Sequence, residues 1–206
     1  MIALINFSSA LTRRFYQRPT EVVARELLGK ILLREHPDGT VAIRLTEVEA
    51  YLGIADPACH TFGGRRTRRT ETMWGEAGYA YVFLVYGIHN CLNVVTVGRG
   101  RPEAVLLRGG LALEGLELIR ARRGPTVATR SLSDGPGKLC TALGVTRDHD
   151  GIDLCDPSSG LRICDDGFRV GEETVRRTQR VGVDYAGEAA AWPLRFVTDL
   201  TVFRSS

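Results

Sequence analysis

The stretch Thr40–Tyr51, TVAIRLTEVEAY, decides the architecture. Apolar and β-branched residues alternate along it with the period of two that marks a half-buried strand. That alternation puts Val41, Ile43, Leu45, Glu47, Glu49 and Tyr51 on one face and Ala42, Arg44, Thr46, Val48 and Ala50 on the other. Two carboxylates and a phenol thus extend an otherwise apolar row. A carboxylate facing a core is costly unless it is paired or has a task. Otherwise the strand emerges into solvent after Leu45, or a bulge flips its register; the pattern leaves all of these open.

Working outward, Ile31–Arg34 reads as a strand that Pro37-Asp38-Gly39 turns back into the long one, a hairpin. Upstream, Pro19-Thr20 opens a helix over Glu21–Leu28 that Gly29 ends. Downstream, Gly63–Thr72 is a basic loop, and the apolar strands Tyr79–Tyr86 and Cys91–Val97 form a second hairpin through Gly87-Ile88-His89-Asn90. Glu103–Arg108 is a further strand. Leu111–Arg123 reads as a helix stopped by Gly124-Pro125, and Pro136–Leu143 as a helix with Pro near its start and Gly144 after its end. The remainder is strand and loop. With no repeat and no linker, residues 1–206 are expected to form one α+β domain.

The chain has 206 residues, 44% hydrophobic and 25% charged, enough to bury a core without disulfides or a metal. No apolar run approaches the roughly 20 residues that span a bilayer, and apolar Met1–Phe7 lacks the basic start of a secretory signal. No membrane partner is expected. Five cysteines, an odd number with no CxxC, point to reduced thiols in a cytoplasm-like compartment. The set Cys140, His149, Cys155 and Cys164 fits no standard zinc spacing, so no metal and no cofactor are expected. The net charge is only +3, but it is uneven: Cys59–Arg101 carries +4 and Thr146–Glu173 carries −5. One face suits a polyanion while another stays acidic.

Several side chains stand out. His60 lies nine residues past Tyr51. Arg65, Arg66, Arg68 and Arg69 crowd a Gly-rich loop, as phosphate contacts or as a solvated loop. Tyr79, Tyr81 and Phe83 share a strand face, while Tyr86 sits at a hairpin tip with little to pack on, where it could act as a wedge in a base stack. Asn93 is an amide among apolar neighbours and needs a partner, a backbone group being the simplest.

The chain resembles the methylpurine (alkyladenine, 3-methyladenine) DNA glycosylase family. The resemblance rests on TEVEAYLG (46–53), Asp56, Cys59-His60 and Gly63-Gly64-Arg65. It continues through Tyr79–Gly87, Cys91-Leu92-Asn93, Val105–Arg108 and Gly135–Cys140. Arg180–Val183, Ala186-Gly187-Glu188 and Pro193–Phe196 complete it, the whole running from about Phe15 to Phe203. It implies a curved, mainly antiparallel sheet with flanking helices and a protruding hairpin. It also implies that Glu49 is the general base, with Arg108 helping to hold the attacking water. Tyr51, His60, Phe83 and Asn93 would contact the flipped base, Phe83 standing where relatives can carry a tyrosine. Tyr86 would fill the gap in the duplex, and Met73, Arg65, Thr67 and Lys138 would contact DNA.

The implied enzyme is a monofunctional glycosylase of base excision repair, acting as a monomer on double-stranded DNA containing damaged purines. Its location would be cytoplasmic, nucleoid-associated if bacterial. A damaged purine is out of reach inside a duplex and must be turned out, at a cost of a few kcal/mol. Alkylation at ring nitrogen 3 or 7 makes the base cationic, hence a good leaving group, and a slot of aromatic rings attracts it by about 0.5–2 kcal/mol. Removal of 3-methyladenine and 7-methylguanine follows; hypoxanthine and ethenoadenine, as neutral purines, would need a proton on the leaving group. This reading requires Glu49 at a DNA-facing cleft. Its competitors are a lyase using Lys30 or Lys138, the only lysines, and a non-catalytic nucleic-acid-binding module.

Overall fold

The computed structural model describes residues 10–199; Met1–Phe7 and Phe203 lie outside them. The helices are α1 (Arg13–Tyr16), α2 (Thr20–Leu27), α3 (Leu116–Arg123) and α4 (Pro136–Leu143). The strands are β1 (Ile31–His36), β2 (Gly39–Tyr51), β3 (Ala80–Val85), β4 (His89–Gly98), β5 (Arg101–Glu114), β6 (Leu161–Cys164), β7 (Val175–Thr178) and β8 (Arg195–Thr198). Short 3-10 turns fill much of the rest. All eight strands join one sheet in the order β3-β4-β5-β2-β1-β6, with β8 pairing both β2 and β7. Every pairing is antiparallel, so the chain is α+β, as its hairpins predict. β2 shares one edge between β1, at Gly39–Arg44, and β8, at Glu47–Glu49. A strand held by two partners along one edge must coil, and the sheet curls strongly around it.

The pairing of β2 with β5 slips at three places. Leu45 pairs with Gly110 but Glu47 with Gly109, which leaves Thr46 as an extra residue; Val48 then pairs with Leu107, which leaves Arg108 extra on the other strand. The extra residue at Thr46 reverses the phase of the alternation. Val41, Ile43 and Leu45 face the main core, and Val48 and Ala50 take over that row beyond the bulge. Glu47, Glu49 and Tyr51 are therefore turned away from it. The single face predicted for all six residues is corrected here: of the readings left open, the bulge is the one that the fold adopts. The strands also approach closely. A methyl group on Gly110 would lie 2.4 Å from the Arg44 carbonyl oxygen, so only glycine fits there.

The predicted helix Leu111–Arg123 is half strand. β5 runs on to Glu114, because Leu111, Ala112 and Glu114 pair with Arg44, Ile43 and Ala42. Tertiary pairing overrides the helical preference of Leu-Ala-Leu-Glu. Gly115 makes the switch at φ 77, in the left-handed region, where a methyl group would also lie 2.3 Å from the Thr40 carbonyl oxygen. The second hairpin is tighter than predicted. Val85 pairs with His89, so the turn is Tyr86-Gly87-Ile88, and His89 and Asn90 belong to β4. Residues 136–143 are helical as expected, and the upstream helix is displaced by one residue from its predicted span.

α2 and α4 cover the inner face of the sheet, where Leu27, Leu32, Ile43, Leu92, Leu107 and Leu143 form a single buried cluster. The acidic segment is not an open acidic face. Asp165 pairs with buried Lys30 at 2.8 Å and Asp166 with Arg44 at 2.6 Å. Asp153 pairs with Arg13, and Asp150 accepts the Val82 N–H at 2.9 Å. These carboxylates staple the later loops to the first half of the chain. None of the five cysteines is in a disulfide, and four of them are buried. No helix among the described residues is long and apolar enough to cross a membrane.

Candidate active site

Cross-strand pairing assembles the floor of the site. Glu49 of β2 pairs with Leu106 of β5, Leu106 with Asn93 of β4, and Asn93 with Tyr81 of β3. Directly paired residues project to the same side of a sheet, so these four make a row across four strands. Tyr51 lies two residues along on one side of that row and Phe83 two along on the other. A cleft of about 730 Å³ opens above it, lined by Tyr51, His60, Phe83, Asn93, Leu106 and Arg108 among others. It is the larger of the two cavities described here; the other, about 350 Å³, lies between α2 and β7 and gathers ion-paired side chains.

Glu49 is the buried end of that row and does not itself line the cleft. Its side chain has no exposed surface, yet all its partners line the cleft. The Val181 N–H donates to Oε1 at 2.8 Å, the Tyr51 hydroxyl donates to Oε2 at 2.9 Å, and the Arg108 Nε is 3.4 Å from Oε1. Burial pushes the Glu49 carboxyl up from its ordinary value, while Arg108, the Val181 N–H and the Tyr51 hydroxyl pull the other way. Burial, and then Glu49 itself, hold Tyr51 well above the usual phenol range, so it stays a proton donor to the carboxylate.

Arg108 is aimed by its bulge and by a second acid. Its Nε donates to Glu47 Oε1 at 2.8 Å, and Arg195 donates to the same oxygen at 2.7 Å. Burial acts to lower the Arg108 guanidinium, but Glu49 and Glu47 outweigh it, so it stays charged. Tyr51 is gripped from behind. The Arg180 guanidinium lies 4.7 Å from the centroid of its ring and donates to the Ala50 carbonyl at 3.0 Å. Asp56 neutralises Arg180, accepting at 2.8 Å and through a second, shorter bond, and neither side chain has any exposed surface. Asp56 also accepts the N–H groups of Leu52 and Ala58 at 3.0 Å each. One ring face of Tyr51 is thereby committed to a buried ion pair.

The opposite wall is aromatic. His60 Nδ1 is 3.0 Å from the Tyr81 hydroxyl, and the His60 ring meets Phe83 edge-on at 4.5 Å. Burial first, then Arg69 and Arg65, lower the His60 pKa to about 4, so the imidazole is neutral at ordinary pH. Asn93 finds the simple partner foreseen for it: its Nδ2 donates to the Tyr81 carbonyl at 3.1 Å. Among the described residues no group of His, Cys, Asp and Glu suits a metal ion.

The structure thus brings together Glu49, Arg108, Tyr51, His60, Phe83 and Asn93. Met73 and Lys138 also line the cleft, Met73 buried and Lys138 paired with Asp134 at 2.8 Å. Tyr86 stands at the rim, 90% exposed, with a left-handed backbone at φ 53. Arg65 and Thr67 lie outside the lining on the adjoining loop, where the Thr67 N–H donates to the Thr70 hydroxyl at 2.9 Å. Sequence reasoning missed Glu47, Asp56, Arg180 and Val181 as parts of the site. Asp56 and Arg180 fall inside segments that carry the family resemblance, but nothing in their spacing announces that they pair across 124 residues.

Residues 14–201 match the family model described as methylpurine-DNA glycosylase. A provisionally named 3-methyladenine DNA glycosylase of Bdellovibrio bacteriovorus is 48% identical over 186 residues, 90% of this chain and 93% of its own. Its similarly named counterpart from Methanocella arvoryzae is 47% identical, covering 90% of each chain. Another, from Myxococcus xanthus, is 48% identical over 90% of this chain and 88% of its own.

The Asp56–Arg180 pair makes a strong prediction of its own. Breaking a buried ion pair from one side leaves an uncompensated charge, at about 3–5 kcal/mol. Asp56→Asn should lose stability of that order in denaturant unfolding, and a loss below 1 kcal/mol would show that the pair does not anchor Tyr51.

Proposed function

The chain belongs to the methylpurine-DNA glycosylase family, whose members are hydrolases of N-glycosyl bonds in DNA, and we propose that it releases 3-methyladenine and 7-methylguanine from duplex DNA by a water that Glu49 activates. The observation that carries this reading is the buried Glu49 carboxylate, held by three groups that all line the cleft. The lesion turns out of the duplex into that cleft, between Tyr51 on one side and His60 with Phe83 on the other. Its positive charge favours the ring faces and suits a neutral rather than protonated His60. The same charge makes the base leave readily, so the enzyme has two tasks: to steady the oxocarbenium-like sugar and to take a proton from water. A carboxylate serves both. Water reaches Glu49 by taking the place of one of its donors, the Val181 N–H or the Tyr51 hydroxyl. Arg108, fixed by Glu47, keeps the carboxylate ionised and helps to hold that water. The protein acts as a monomer where the DNA is, in the cytoplasm.

On this reading the hairpin tip supplies the wedge. A non-glycine residue in the left-handed region costs of the order of 1 kcal/mol, and Tyr86 has almost no packing to offset it. The protruding, strained aromatic is suited to the gap that the flipped nucleotide leaves. Lys138 and the basic loop hold the phosphates on either side. A lyase is not favoured, because Lys30 is buried against Asp165 and does not line the cleft, and Lys138 needs no more than a phosphate.

Glu49→Gln tests the catalytic assignment. Base release from alkylated duplex should fall by about 10²–10⁴-fold, the usual contribution of a general base, while binding to damaged DNA is kept; unchanged release would remove Glu49 from the chemistry. Tyr86→Gly tests the wedge. It should leave the melting temperature unchanged or slightly raised and reduce the preference for damaged over intact duplex. Equal preference in the two proteins would leave the tip without that role.

A further inference from the structure

Resting on the base slot described above, we propose that Arg69 is a selectivity residue that occupies the seat of the flipped base until a DNA phosphate draws it out. The Arg69 guanidinium lies 5.0 Å from the centroid of the Phe83 ring, and its Nη2 is 3.3 Å from His60 Nε2. These are the ring face and the imidazole edge that the slot offers to a purine. A guanidinium is a planar, delocalised cation, and an N-alkylated purine is another. Both are attracted by the same ring face, so one excludes the other.

The hold on Arg69 is made to be broken. Its partners are a phenyl face, a neutral imidazole and the Tyr81 hydroxyl, none with a net charge. Neighbouring Arg66 is different: its Nε donates to Glu71 at 2.9 Å, and that ion pair keeps it on the surface. The backbone beneath Arg69 is fixed by two bonds between Thr67 and Thr70, at 2.9 and 3.0 Å. Rotation of one exposed side chain is therefore enough to open the seat. A phosphate offers a full negative charge and charge-assisted hydrogen bonds, which outweigh a phenyl face at a solvent-exposed position. The seat is then blocked to free nucleosides and opens on the duplex. Until the phosphate draws Arg69 out, a neutral, undamaged purine competes poorly for the place that a cation already holds, whereas a cationic one competes on equal terms.

The test uses 7-methylguanosine, a cationic nucleoside, titrated into the DNA-free protein and followed by intrinsic fluorescence. Arg69→Ala should bind it about three to five times more tightly than wild type, the factor that an exposed cation–π contact represents. The same variant should bind duplex DNA more weakly, with a salt dependence reduced by about one phosphate contact. Unchanged nucleoside affinity overturns the proposal, whether or not duplex binding weakens, since weakened duplex binding alone marks a plain phosphate contact. Release of methylated purines from alkylated duplex by the wild type is measured in parallel. Its absence would refute the glycosylase reading, whereas the affinity comparison bears on Arg69 alone.

Discussion

One extra residue in one strand turns this sheet from a scaffold into a site. Without the bulge at Thr46, the alternation of β2 would carry Glu47, Glu49 and Tyr51 into the apolar core under α2 and α4. With it, Leu45 hands the core row to Val48 and Ala50, and the three polar side chains face the opposite way. The compensating bulge at Arg108 restores the register of β5 and aims a guanidinium at the two carboxylates thus turned out of the core. Gly110 belongs to the same device, because the backbones approach too closely there for any larger side chain.

The second constraint is electrostatic. Five charged groups, Glu47, Glu49, Asp56, Arg108 and Arg180, lie in or under the cleft floor with little or no exposed surface. Lone buried ions would cost several kcal/mol each. Here each acid faces an arginine, and Glu49 and Asp56 also accept from backbone N–H groups or from Tyr51. The arrangement splits into two units. Asp56 and Arg180 cancel each other and serve Tyr51 from behind. Glu47 takes most of Arg108 and Arg195, so Glu49 is left with a more distant cation, and burial, only partly offset by Arg108, raises its carboxyl above its ordinary range. On the proposed mechanism that inequality separates a structural acid from a reactive one, two residues apart on the same strand.

Much of this was legible in the sequence. The hairpins, α2 and α4 follow from periodicity and turn residues, and the row Glu47, Glu49, Tyr51 is visible as an anomaly in an apolar alternation. The register change is not, because a bulge leaves no mark in the composition of β2; its signal is the close approach of the facing strand at Gly110, which exists only after folding. The misread start of α3 has a similar cause: Leu111–Glu114 has helical preference, and only pairing with Arg44, Ile43 and Ala42 keeps it extended. The supports of the site were hidden for a simpler reason. Asp56 and Arg180, or Arg13 and Asp153, meet across more than 120 residues, and charge pairing at that range carries no local pattern. The acidic segment misled for the same reason, since its net charge says nothing of the cations folded onto it.

The claim on which the account turns is that the buried Glu49 carboxylate must be ionised for the chemistry, and that Arg108 helps to keep it so. Its most direct measure is the pH dependence of single-turnover base release from 7-methylguanine-containing duplex. Burial raises the carboxyl, so the rate should fall with decreasing pH along a limb lying above the ordinary glutamic acid range. Removing the cation with Arg108→Gln should raise the carboxyl further and move that limb to higher pH. A limb at the ordinary glutamic acid position, or one that stays in place in Arg108→Gln, would contradict the account.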